Sequence, residues 1–375
     1  MAKRGLKVLD SDMHVFEPPD MWQRYMPKEL RARAPRCKTN EPRDFSMEFE
    51  GQTIPLPSLH GSAASTKARQ AAEKAQERQY AQSIKRSWDA ASQVKAMDKE
   101  GIDVAVLYPS RGLIPLGMDG LDPKLAAAVS SAYNDWLYEF CQGAPDRMFG
   151  AAMIAVHDIR SAVKELERAV AKFGFRGAFL RPNFINGRNW HDPYYYPLWN
   201  AFQDLNVPLG FHEGGAVPAN QVGKDLKSEA LHHVVSHPVE MMLSMVSMIG
   251  GGVLERFPRL RVAFLEANCS WVPWLLWRLD ETLEPGTWAG LQHPDLRLKP
   301  SAYFGRQCYV SVESDEEPAL NALQLLGKEN VVFSTDYPHL DSKYPHSVDR
   351  FLELPFNKAT QRKLLWDNCA RFYGL

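Results

Sequence analysis

The chain has 375 residues, with 44 Lys and Arg against 45 Asp and Glu and a net charge of −1. That balance leaves no basic surplus for nucleic acid, and no apolar stretch is long enough to span a bilayer. Five scattered cysteines (37, 141, 269, 308, 369) with no Cys-x-x-Cys pair argue against a disulfide framework or a thiolate zinc site and fit a reducing cytoplasm.

The start, Met1 to Arg4, lacks an apolar run of the signal-peptide kind behind it, so a cytoplasmic protein is expected. Leu6–Leu9 reads as a first strand, and Asp10-Ser-Asp12-Met-His14-Val-Phe-Glu17 follows it. Strand side chains alternate, so Asp10, Asp12 and His14 are expected on one face. Three ionisable groups on one buried face are costly unless a cation compensates them. Asp oxygen and His nitrogen are ordinary metal ligands. The competing reading is a polar edge or a loop-entry cap.

Pro18-Pro19 stops regular structure, and 18–62 reads as a long excursion. Ala63–Ser83, rich in Ala, Lys, Gln and Glu, suits an exposed helix with little to bury, a lid or a subunit contact. From Trp88 the pattern becomes regular. Helices are expected near 88–100, 122–142, 158–173, 194–204, 228–248, 270–283 and 316–326. They alternate with apolar runs ending near Tyr108, Val156, Leu180, Phe211, Leu265, Ser311 and Ser334. A last helix covers about 357–373. Eight apolar runs separated by helices predict a parallel sheet closed as a (β/α)8 barrel. The expectation is therefore a single domain over 1–375, with an insertion at about 18–87.

In such a barrel, functional side chains sit at strand C-terminal ends. The first carries Asp12, His14 and Glu17; the fifth, His212 and Glu213; the sixth, Glu266; the eighth, Asp336, Tyr337 and His339. Charged residues in structural roles would spread over helix surfaces instead, so this convergence favours a metal site. His232, His233 and His237 follow the fifth strand. Pro238 suggests a helix beginning near His237, which makes His237 the ligand candidate among them. His339 is more plausible as a partner of a ligand or a substrate contact. His157 and His191 read as pocket lining or loop packing. Arg111, Tyr108, Arg181, Trp190 and Tyr337 are candidates to line a pocket. Arg181 suits either a substrate carboxylate or a structural ion pair.

These residues resemble the amidohydrolase superfamily, in the branch of aminocarboxymuconate-semialdehyde and resorcylate-type decarboxylases. The resemblance runs from Asp10 to Leu375. It is carried by Asp12-Met-His14-Val-Phe-Glu17-Pro-Pro, Gly210-Phe-His212, Phe257-Pro-Arg-Leu-Arg-Val with Leu265-Glu-Ala, and Ser334-Thr-Asp336-Tyr-Pro-His339. It implies a distorted barrel with a metal at its mouth. Asp12 in place of the usual His or Glu, Glu266 where many members carry His, and the additional Glu17 depart from the branch. They resemble the subgroup of dinuclear non-haem iron or iron–manganese oxygenases that includes 2-aminoisobutyric acid hydroxylase.

Three functions follow as expectations. The first is hydroxylation of a small organic substrate with O2 at two iron or manganese ions. Those ions would be held by Asp12, His14, Glu17, His212, His237, Glu266 and Asp336, a hard donor set. No flavin or iron–sulfur motif is visible, so electrons would come from a ferredoxin and reductase. The alternative is a mononuclear hydrolase or decarboxylase of a small carboxylate, with zinc an eligible metal. There Asp336 acts as general base or ligand, and the metal activates water or polarises a carbonyl; under either reading the catalytic residues expected are Asp336, Glu266 and His212. The third is a barrel subunit that scaffolds a paralogue; a homo-oligomer is also compatible.

Overall fold

The computed structural model describes residues 3, 5–40, 45–54, 74–75, 77–214, 222–226, 228–293, 296–339 and 341–375. Eight parallel strands form one sheet in the order β1 (Leu9–Val15), β5 (Val104–Pro109), β6 (Met148–Met153), β7 (Gly177–Leu180), β8 (Leu209–His212), β9 (Val262–Leu265), β10 (Cys308–Val312) and β11 (Val331–Phe333). Three short strands, β2 (Arg36–Cys37), β3 (Met47–Phe49) and β4 (Gln52–Ile54), make a separate antiparallel sheet inside the early excursion. The expected (β/α)8 architecture is observed. The last and first strands come together through Ser11 Oγ to the Phe333 carbonyl (2.7 Å) and the amides of His14 and Asp336. Those amides donate to the carbonyls of Tyr337 and Asp12 (2.6 and 3.3 Å).

Strand composition explains the layering. β5 and β9 are continuous apolar runs because a helix covers one face and the barrel interior the other. Side-chain caps fix where the covering helices begin. Asp89 accepts from the Ser92 amide (2.8 Å) and Asp158 from the Ser161 amide (2.9 Å). The same two helices, Ala90–Glu100 and Ile159–Phe173, end at Gly101 and Gly174 in left-handed conformation.

Three expectations need correction. The Asp-x-Asp-x-His motif does not follow the first strand but lies within it, since β1 runs from Leu9 to Val15. Pairing with β5 shifts register between Asp10 and Met13, which breaks the strict alternation. Asp10 therefore turns to the Thr335 amide (3.2 Å) and hydroxyl, away from its expected companions. For the helix after β8, the expected span of about 228–248 is observed, but a start near His237 is not. It runs from Glu229 to Gly250 with Ser228 as cap. Proline removes the hydrogen bond to the carbonyl four residues back. That residue, Val234, is 67% exposed, so water can take the bond. Finally, the stretch between 283 and β10, expected as a loop rich in Pro and Trp, holds a helix, Pro300–Gln307.

Most of the lid reading for 63–83 lies outside the described residues; the described part ends in the helix Ala81–Lys85. Among the described residues, no helix is long and apolar enough to cross a membrane. All five cysteines are free.

Candidate metal centre

Asp12 and His14 project from β1 into the barrel mouth, and His212 joins them from the end of β8. All three are fully buried. His212 Nε2 lies 3.1 Å from Asp12 Oδ1, and His14 Nε2 lies 3.4 Å from the same oxygen. Their other ring nitrogens are anchored. His14 Nδ1 is 2.7 Å from the Pro109 carbonyl, and His212 Nδ1 is 2.6 Å from the Glu213 carbonyl. A carbonyl can only accept, so each Nδ1 carries a proton, and Nε2 is the ring nitrogen that each histidine turns toward Asp12 and could offer to a cation. Gly210 makes room beneath: a Cβ there would sit 2.7 Å from the Tyr108 hydroxyl, and the Tyr108 ring stacks on His212 at 5.3 Å.

Two carboxylates approach from the other side. Glu266 directly follows β9 and Asp336 lies just beyond β11. Both adopt left-handed backbone, with φ of 52° and 54°. That conformation costs an L-residue about 1–2 kcal/mol, and such strain gathers at working sites. Asp336 Oδ1 is 3.4 Å from His14 Nε2 and 2.6 Å from His339 Nδ1. Glu266 Oε2 is 3.3 Å from His212 Nδ1, and its Oε1 is 3.5 Å from His237 Nε2.

Two sets of donor atoms thus lie within 4.8 Å of one another: Asp12, His14 and His212, and His14, Glu266, Asp336 and His339. Asp12 Oδ2, His14 Nε2, Glu266 Oε2 and Asp336 Oδ1 are buried without an aligned hydrogen-bond partner. Four such orphaned atoms, spread over the two sets, are a pattern that bound cations would complete. The electrostatics are divided. Burial, then the Glu266 and Asp341 carboxylates, push Asp336 well above the usual carboxylate range. Burial also opposes ionisation of Glu266, but His212 and His237 outweigh it and hold Glu266 well below that range. Asp12 is likewise held down, to about 2: burial works against its charge, and His212 and His14 overcome it.

Glu17 belongs to neither set, against expectation. Its carboxylate accepts from the amides of Ser110 (3.3 Å), Arg111 (2.9 Å) and Gly112 (2.9 Å), so it organises the loop after β5. His237 reaches the group only through Glu266. The pocket candidates divide. His339 is in the cluster. Arg181 is held by the Leu113 carbonyl (2.8 Å), the Gly214 carbonyl, Asn183 (2.9 Å) and Glu213 (3.2 Å), and with Trp190 it also lines a recess, so both of its readings find contacts. Tyr337 is fully buried behind the mouth, its hydroxyl 3.2 Å from Ser83 Oγ. Arg111 donates to the Glu17 carbonyl (3.2 Å), and Trp190 to the Pro182 carbonyl (2.8 Å). His157 and His191 pack in loops, against the Met118 carbonyl (2.8 Å) and Ser247 Oγ (2.9 Å).

Sequence reasoning missed Glu313 and Asp341. Both line a shallow recess beside Asp336, together with Ser334, Thr335 and Lys343. Glu313 stands at the end of β10, so the strand-end rule that located the others also points to it. Burial, then Glu316 and Asp341, raise it to about 7. Asp341 pairs with His233 at 3.2 Å.

A family profile described as "Amidohydrolase" matches residues 10–375. Over 297 residues the chain is 27% identical to 2-amino-3-carboxymuconate-6-semialdehyde decarboxylase of Dictyostelium discoideum, covering 77% of each protein. It is 25% identical to gamma-resorcylate decarboxylase of Polaromonas sp., covering 75% of this chain and 86% of that protein. Among solved structures, 5-carboxyvanillate decarboxylase of Sphingomonas paucimobilis superposes with a TM-score of 0.70 at 22% identity, covering 99% of both chains. A dihydroxybenzoic acid decarboxylase of Polaromonas sp., solved with bound manganese and 2-nitroresorcinol, gives 0.63 at 20% identity, covering 100% of this chain and 98% of that one. At these identities the structural likeness speaks to the fold.

Proposed function

We propose that this chain, which belongs to the amidohydrolase family, is a metal-dependent decarboxylase of a small carboxylate. The observation that carries the reading is the convergence of His14 and His212, each locked by a backbone carbonyl, with the buried carboxylates of Asp12 and Asp336, each within 3.4 Å of His14 Nε2. Relatives named as decarboxylases support it. In this reading Asp12, His14, His212 and Asp336 hold one divalent cation, with manganese or zinc the eligible ions. Bound there, the cation supplies Lewis acidity to a substrate carboxylate.

The chain's own residues do the rest. The mouth is walled by buried groups, which keeps water from competing for the substrate's charge. Decarboxylation breaks a carbon–carbon bond, releases CO2 and leaves a carbon that must take up a proton. His339, whose Nδ1 stands 2.6 Å from Asp336, is the inward group placed to deliver it, since Asp336 is committed to the cation in this reading. Glu266 and His237 form the facing wall. One domain carrying the excursion at 18–87 fits this arrangement.

A second reading retains specific support. The two donor sets share His14 and together contain three carboxylates, enough for a second cation held by Glu266, Asp336 and His339. Two iron or manganese ions in a hard donor set would suit O2-dependent hydroxylation with an external ferredoxin and reductase. Metal analysis of purified protein, with CO2 release measured across a panel of small carboxylates, separates the two. One ion per chain and CO2 release are expected. Two ions, O2 consumption and no CO2 release would overturn the decarboxylase reading.

A further inference from the structure

His14 and His212 are anchored on backbone carbonyls, and a carbonyl fixes which ring nitrogen bears the proton. His339 is anchored differently, with Nε2 2.9 Å from the Ser110 hydroxyl. Ser110 is the first residue after β5, and Glu17 fixes that turn through the amides of Ser110, Arg111 and Gly112. Glycine at 112 permits the close approach. A Cβ there would lie 3.0 Å from Glu17 Oε1 and 2.5 Å from Met153 Cε.

We propose that Ser110 is a positioning residue for His339, itself held in place by Glu17 through three amides, and that the pair turns His339 Nδ1 toward Asp336. The proposal rests on the metal-centre reading above. Nδ1 stands 2.6 Å from Asp336 Oδ1 and 3.8 Å from Glu266 Oε1. A hydroxyl both donates and accepts. His339 can therefore present either a lone pair or an N–H to the centre, whereas at His14 and His212 a carbonyl fixes a proton on the nitrogen that faces away from Asp12. This gives Glu17 a role that its place outside the donor sets leaves open. It also explains why a carboxylate is buried beneath a loop.

The succession Ser110, His339, Asp336 has the order of an acyl-transfer triad. That function is not supported. The amides beside Ser110, which would have to stabilise an oxyanion, are engaged by Glu17. Ser110 is also buried.

The test uses the full chain, freed of metal by chelation and titrated with Mn2+, together with the imidazole 15N shifts of His339 in the metal-free protein. Ser110→Ala is expected to weaken Mn2+ binding about tenfold or more and to move the His339 shifts, and Ser110→Thr to restore both. Glu17→Gln, which cannot accept all three amides, is expected to act in the same direction. Wild-type Mn2+ affinity with unmoved shifts in Ser110→Ala overturns the proposal. If the unmodified chain binds no Mn2+, the metal reading falls, and the shifts alone decide the positioning. Covalent labelling of Ser110 by a fluorophosphonate would also overturn it, by making Ser110 a nucleophile.

Discussion

Glu240 lies buried in the middle of the helix Glu229–Gly250, three residues beyond His237. Its Oε1 accepts from the Val222 amide at 2.6 Å. Burial is the main reason its pKa rises from the ordinary 4.5 to about 7, and the nearby Glu213 carboxylate adds to it. The unfolded chain releases this proton near 4.5, and the folded chain near 7. Glu240's contribution to stability is therefore full below pH 4.5 and lost as pH climbs through 7. At about 1.4 kcal/mol per pH unit, the penalty at pH 8 is up to about 3 kcal/mol. Glu240→Gln keeps an acceptor for Val222 and removes the charge. With an unfolding entropy of roughly 0.8 kcal/mol/K for a chain this long, Tm at pH 8 should rise by about 4 °C. At pH 5 the variant and the parent should melt within about a degree. Thermal unfolding followed by circular dichroism at both values checks this. An equal Tm difference at pH 5 and pH 8 would refute the reasoning, because the effect would then not arise from the carboxyl's ionisation.

Metal at a hundredfold excess over Kd should raise stability by about 2.7 kcal/mol, hence Tm by roughly 3 °C, and chelator should reverse it. Asp336→Asn should lose most of that metal-linked shift in the same melt. Glu266→Ala should leave metal content at one ion per chain by elemental analysis; a fall from two ions to one would instead favour the dinuclear reading. Tyr373→Phe removes the hydroxyl that donates to the Ser11 carbonyl (2.6 Å) and pairs with Tyr108 (3.0 Å). Leaving those buried groups unsatisfied should lower stability by about 2–4 kcal/mol in denaturant titration.

Eight apolar runs separated by amphipathic stretches dictated the barrel before any coordinates, because parallel strands must be covered on both faces. The same order marked strand ends, and so the chain alone pointed to Asp12, His14, His212, Glu266 and Asp336. Local pattern failed where a neighbour in space set the outcome. Pro238 argued for a helix start, but the proline is tolerated because the carbonyl it orphans belongs to an exposed residue, Val234. Asp10 matched the periodicity of Asp12, yet a register shift against β5 sends it to Thr335. Glu17 had a ligand's chemistry and proximity in sequence, and three amides from residues 110–112 claim it first. Spacing along a chain states which groups are available. Which partner each one takes depends on desolvated donors and acceptors brought in from more than ninety residues away, and only the folded barrel assigns them.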